Sequence, residues 1–214
     1  MVLDPFCGCG TAVDAAQKLH RRWIGIDITY LAIDLIQKRL RHTYGDMAVY
    51  DVYGIPADVQ GAQRLFETNA FDFERWAVSL VDGWPNQRQV GDRGIDGVIE
   101  FSADDARRTG RALVSVKGGR QLNPAMMRDL VGTVEREKAE MGIFICLSEP
   151  TRGMKDEAAR SGSYTNLFTG QSYPKVQVLT VAELLAGKRP KMPTVLLPYV
   201  QARSRGPENL SLFS

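Results

Sequence analysis

The chain has 214 residues, 44% of them hydrophobic and 24% charged, with a formal net charge of +2; these are ordinary values for a globular protein of one or two domains. It contains no apolar run of about eighteen residues, so no membrane-spanning helix is expected. Three cysteines, Cys7, Cys9 and Cys146, do not make a disulfide framework, and a reducing, cytoplasmic compartment is the expectation.

The charge is uneven. Residues 1–45 carry six Lys/Arg against four Asp/Glu, residues 46–186 sixteen against twenty, and the tail from 187 five against one. Bulk charge therefore does not announce a nucleic-acid partner, and any DNA contact would go through local patches. The first residues lack the basic segment and apolar run of a secretion signal.

In chain order, VLDPF (2–6) reads as a short buried strand. TAVDAAQKLH (11–20) has apolar residues at helical spacing, with Thr11 as a candidate cap. RWIGIDI (22–28) reads as a second strand, and TYLAIDLIQKRLRHTYG (29–45) as a helix stopped by Gly45. This is the β-α-β-α opening of a doubly wound sheet, too small to bury a full core alone. Residues 46–62, with Gly54, Pro56 and Gly61, suit a linker.

A second α/β pattern spans 63–187. A helical stretch covers 63–84 with an interruption near Asn69, and strands are expected at 94–101 and 112–119 around a polar hairpin loop, 103–111. A helix over 126–142 stopped by Gly142, an apolar strand at 143–149, a helix at 154–162, a strand at 176–180 and a helix at 181–187 complete it. Residues 188–214 are expected to lie extended as a tail. There is no internal repeat.

Two constellations carry chemistry. The first is the loop after the first strand, where Gly8 and Gly10 let backbone approach a ligand and Asp27, at the end of the next strand, stands where a ribose diol would be held. The string DPFCGCGT…RRWIGIDI resembles the AdoMet-binding motif of the exocyclic-amino DNA methyltransferases. In their circularly permuted class this motif lies near the C-terminal end of the catalytic domain. The resemblance implies that Asp4, Phe6, Gly8, Gly10 and Asp27 line an S-adenosyl-L-methionine pocket, with Thr11 starting the helix beneath it.

That family's catalytic tetrapeptide is a polar residue, two prolines and an aromatic residue that stacks on the flipped base. No Pro-Pro dipeptide occurs in the chain. Residues 1–45 are thus expected to be the last third of a methyltransferase domain, completed by an N-terminal portion that carries the tetrapeptide; AdoMet would bind only to the completed domain. The plainer reading is a β-α-β-α piece that packs on its neighbour and binds nothing. Cys7 and Cys9 lack the second pair that zinc needs.

The second constellation is GDRGIDGVIEF…ALVSVKGG. Ser115 and Lys117 share one face of their strand by the period of two, and strand pairing should bring Asp96 near Lys117. A carboxylate that holds Mg²⁺ beside a lysine that steadies developing phosphorane charge is how metal-dependent nucleases are built. The pattern resembles the PD-(D/E)xK nuclease fold, and within it the Mrr-like restriction endonucleases. The matches are Phe73-Glu74 in a helix, Gly94-Ile95-Asp96-Gly97, and Ser115-Val116-Lys117. The resemblance implies metal ligands at Asp96, Glu74 and the Val116 carbonyl, with Lys117 as the catalytic lysine.

Ser115 stands where that family has Glu, Asp or Gln, and serine cannot hold a cation as a carboxylate does. Glu74 or Glu100 would have to compensate. The alternatives are an ordinary cross-strand ion pair and a nuclease fold that kept DNA binding without cleavage. VSVKGG, RDLVGTVEREKAEMG and EPTRGMKDEAARSG resemble stretches of bacterial methyltransferases whose permuted catalytic domain precedes a restriction-nuclease-like domain.

The leading expectation is a DNA modification and restriction protein whose second domain is a Mrr-like, Mg²⁺-dependent endonuclease; the alternatives are a catalytically inactive DNA-recognition module serving the methyltransferase and a structural domain that holds the two halves of a split enzyme. Its expected partners are double-stranded DNA and a second copy, since isolated nuclease domains of this type commonly dimerise to cut both strands. Arg120, Arg128 and Arg152 are candidate phosphate contacts, and Gly118-Gly119 is either a close approach for DNA backbone or a simple turn. NLSLF (209–213) resembles the short motif by which bacterial proteins dock on the replication sliding clamp.

Overall fold

The structure, a computed structural model, describes residues 1–86, 94–103 and 108–196. The clamp-like motif at 209–213 lies outside the described residues, as do residues 104–107 of the 103–111 loop.

The opening segment is β1 (Val2–Asp4), α1 (Thr11–Lys18), β2 (Trp23–Gly25) and α2 (Tyr30–Tyr44). The strands pair in parallel, Leu3 opposite Ile24. Cys7, Val13, Ile36 and Leu40 form a small core under α1 and α2. Thr11 is not the cap expected of it: the cap position falls on Gly10, which offers no side chain, and Thr11 is already helical. Thr29 caps α2 through its hydroxyl, which accepts the Ala32 amide.

The expected linker is shorter at its far end than 46–62. α3 (Val59–Thr68) begins at Asp58, whose carboxylate accepts the Gly61 amide, and α4 (Ala70–Ser79) follows at once. Asn69 ends one helix and caps the next, which is the interruption read in the sequence. The first segment is fastened to α4 through α2: Lys38 is held between Asp34 (2.6 Å) and Asp82 (2.5 Å), and also donates to the Ser79 carbonyl.

The larger unit is a five-stranded mixed sheet in the order β3-β4-β5-β6-β9. Its strands are β3 (Trp84–Pro85), β4 (Gly97–Ser102), β5 (Thr109–Lys117), β6 (Met141–Cys146) and β9 (Val176–Thr180). β3-β4-β5 run antiparallel, and β5-β6-β9 are parallel. Alternation divides each strand between two cores. Ile99, Phe101, Ala112, Val114, Val116, Ile143 and Ile145 pack with Phe73, Trp76 and Ala77 of α4 and with α7 (Val181–Leu185). Leu113, Phe144, Cys146 and Val176 pack with α5 (Pro124–Arg136) and α6 (Arg152–Arg160). Helices thus cover both faces, and β6 is buried at every position, which is why it reads as an unbroken apolar run.

α5 stops at Arg136, six residues before the expected Gly142. Lys138 takes a left-handed φ of 52°, and the Ala139 amide reaches back to the Val134 carbonyl. This is the helix-ending arrangement in which glycine is usual, here hidden behind a lysine. Gly142 belongs to β6 instead. The short hairpin of β7 (Ser163–Thr165) and β8 (Ser172–Pro174) was not expected, and neither was β3, which the helical reading of 63–84 overran. The tail begins extended: Val195 bridges Phe101, and the Ser102 and Leu196 amides bond across to Thr194 and Glu100.

Candidate nuclease-like site and cofactor loop

Gly97 opposite Val114 is the last β4–β5 pair. Beyond it, Asp96 continues the pairing by donating its amide to the Val114 carbonyl. The next amide on that side of β5 belongs to Val116, and the Asp96 carboxylate takes it: Oδ2 accepts the N–H at 2.6 Å. A buried amide past the end of its partner strand needs such an acceptor. The same Oδ2 lies 3.8 Å from Lys117 Nζ. The Asp96 side chain is 7% exposed and that of Lys117 38%, so the pair has one buried end and one end at the surface.

Ser115 is buried on the same face of β5 as Lys117, in register with Phe144. Val116 meets Asp96 through its amide, while its side chain lies in the opposite core. Glu74 is half-buried on α4, whose neighbours Phe73 and Trp76 pack on the face opposite Ser115. Glu100 sits across β5 from Arg111, further along β4. Among the described residues, no group of three or more His, Cys, Asp or Glu is placed to hold a metal ion.

Arg128 pairs with Glu157 at 3.0 Å. Gly118 answers to packing: a Cβ there would lie 2.2 Å from the Phe66 ring. Phe66 of α3 carries no chemical signal in the sequence, and only its contact across the sheet end explains the glycine.

In the cofactor loop, Asp27 organises the backbone. Its carboxylate accepts the Gly8 amide at 2.8 Å and the Thr29 amide and hydroxyl at 2.9 and 2.8 Å. Burial alone would raise its pKa, but these donors outweigh that and hold the carboxyl below the usual range. Asp4 accepts the Phe6 amide at 3.2 Å, and the Phe6 ring is 88% exposed. Gly8 and Gly10 have φ of 46° and 78°, and a Cβ on Gly10 would meet Ile36 Cγ1 at 2.5 Å, so glycine is required there. The Thr11 hydroxyl lies 3.4 Å from Cys9 Sγ. The six residues expected around AdoMet therefore do gather in one loop and its facing strand end.

The α/β chain joins a methyltransferase-related segment to a restriction-endonuclease-like domain. Residues 63–186 match the family described as NACHT-associated inactive Restriction Endonuclease 1, and the chain belongs to that family. Residues 1–38 match a second family, DNA methylase.

The chain is 49% identical over 39 residues to the Type II methyltransferase M.EcaI of Enterobacter cloacae, a stretch that is 18% of this chain and 9% of that protein. It is similar in structure to the MspJI restriction endonuclease in complex with a 27-mer oligonucleotide, at 15% identity and a TM-score of 0.43, covering 65% of this chain and 34% of that one. It is also similar to the restriction endonuclease FokI, at 16% identity and a TM-score of 0.40, covering 78% and 31%. Among the described residues no helix is long and apolar enough to cross a membrane.

Proposed function

We propose that the restriction-endonuclease-like domain recognises double-stranded DNA on behalf of a methyltransferase and does not cut it. The observation that carries this is the donor set around Asp96. The Asp96 carboxylate already accepts an amide at 2.6 Å and faces an ammonium at 3.8 Å. A buried, neutral Ser115 occupies the place of the second ligand. Mg²⁺ is held by charged and carbonyl oxygens in near-octahedral geometry, and these side chains suit it poorly. The word "inactive" in the family's description agrees with this reading.

In the opening segment, Asp4, Phe6, Gly8, Gly10, Thr11 and Asp27 are the residues that would hold AdoMet once a methyltransferase domain is complete around them. The positive-φ glycines and the Asp27 carboxylate that orders the loop fit such a ligand. AdoMet supplies the transferred methyl group; these residues bind and orient it.

One observation favours the second reading, a Mg²⁺-dependent endonuclease with Asp96, Lys117, Ser115 and Glu74 at its centre: the buried carboxylate and the lysine are adjacent, as phosphodiester hydrolysis needs. Plasmid nicking in Mg²⁺ and Mn²⁺, on methylated and unmethylated DNA, decides between the two beside a gel-shift assay. Binding that weakens with salt, without nicks, supports the recognition module. Nicking that is lost in both Asp96→Ala and Lys117→Ala establishes the endonuclease.

A further inference from the structure

Residues 161–174 hold no Lys, Arg, Asp or Glu, in a chain that is 24% charged. They fold as the β7–β8 hairpin, and Leu167 and Phe168 stand at its tip, 77% and 76% exposed. The tip is held from beneath by Asn166, which is 3% exposed. Its Oδ1 accepts the Phe168 and Thr169 amides, each at 3.0 Å, and its Nδ2 donates to the Ser102 carbonyl at 3.1 Å. Its own amide and carbonyl close the turn with Gln171 and Gly170. A loop ordered in advance loses little conformational entropy on binding. An aromatic anchor set among Tyr, Ser, Thr and Asn, without a cation, suits contact with protein and not with phosphate.

A matching concavity lies on the other face of the large sheet. Among the described residues, Trp84, Val98, Glu100 and Arg111 line a groove of about 460 Å³. α5 and α6 pack over β5, β6 and β9 on this face, and Trp84 of β3 is left 41% exposed. Glu100 and Arg111 stand opposite each other across β4 and β5, so the rim is neutral and the floor apolar. We infer that two copies of this chain pair by exchange, Leu167 and Phe168 of each entering the Trp84–Val98 groove of the other. Groove and tip agree in chemistry, since neither presents net charge. They agree in size as well, since the volume falls within the ~300–1,000 Å³ of pockets that enclose a small ligand. Phe168 would meet the Trp84 ring, and aromatic pairs gain beyond their buried area. A chain's own tip does not fill its own groove. Val98 and Glu100 alternate with Ile99 and Phe101 along β4, and the hairpin lies on the Phe101 side, where Tyr164 packs edge-on at 5.6 Å. A two-fold arrangement makes the contact twice and leaves no tip or groove open. The inference is independent of whether Asp96 and Lys117 cut DNA.

The test is sedimentation velocity on the full chain over roughly 1–100 μM, with circular dichroism to confirm that each variant is folded. The expected result is a monomer–dimer equilibrium that Phe168→Asp and Trp84→Ala each weaken by about tenfold or more. Val49→Asp, a like change at a site 90% exposed, leaves it intact. An equal mixture of Phe168→Asp and Trp84→Ala is expected to associate more tightly than either variant alone, because one intact tip then meets one intact groove. A general loss of stability would not produce that recovery. An unaltered chain that stays monomeric overturns the inference, and a weakened DNA gel shift in Phe168→Asp would then give the tip to DNA. A dimer indifferent to Phe168→Asp, or a mixture no tighter than its components, also overturns it.

Discussion

The Asp96 carboxylate accepts the main-chain amide of Val116, twenty residues away, at 2.6 Å. Asp96, which the nuclease resemblance would make a metal ligand, is thus a structural clip that finishes the β4–β5 edge. Replacing it by alanine leaves a buried N–H without an acceptor, which costs about 1–3 kcal/mol. Asp96→Asn keeps an acceptor oxygen and is expected to cost distinctly less. Urea denaturation measures both; equal losses would mean that the clip contributes nothing.

Ser115→Glu restores the carboxylate that the nuclease pattern calls for. The side chain is buried one position beyond the Gly97–Val114 pair, level with Asp96, so without a cation it adds a second buried carboxylate that Lys117 alone must offset. In EDTA a fall of roughly 4 °C or more in melting temperature is expected, about 2 kcal/mol for a chain of this size. Mn²⁺ is expected to reverse that fall and to leave the unaltered protein's melting temperature unchanged. A metal-dependent rise in the unaltered protein would contradict the recognition-module reading.

The opening segment should weaken in acid. Asp27 is held below the usual carboxylate range, and a lowered folded value means that the ionised form is favoured in the native state. Its contribution is fully present above the unfolded carboxylate value of about 3.9 and is lost as the pH falls through the lower folded value. Asp27→Asn is expected to flatten the acid limb of β1–α2 stability, followed by hydrogen exchange at the Gly8 and Thr29 amides. An unchanged acid limb would remove Asp27 from that role.

The three thiols should separate by reactivity. Burial pushes Cys146 up to about 12 and also raises Cys7. The hydrogen bond with Thr11 leads the influences that lower exposed Cys9. Iodoacetamide at neutral pH should modify Cys9 first and Cys146 only after denaturation, as peptide mass mapping would show. Early labelling of Cys146 would mean that β6 is not buried.

Much of this was readable before any tertiary structure. The strand-loop-helix around Gly8 and Gly10, the break at Asn69, the apolar run of β6 and the meeting of Asp96 with Lys117 all follow from local periodicity, turn chemistry and simple strand pairing. Boundaries failed where the local signal was disguised: Lys138 does the work of a glycine at the end of α5, and the dipeptide β3 is too short to show a period.

The sequence by itself determined the two family resemblances, because glycine loops, carboxylates and lysines at fixed spacing are local patterns. Only the tertiary structure decided how those residues are used. Asp96 holds the Val116 amide because β4 pairing ends at Gly97. Gly118 is demanded by Phe66, a contact from a distant helix. Each is set by contacts between residues far apart in the chain, which no short-range pattern encodes.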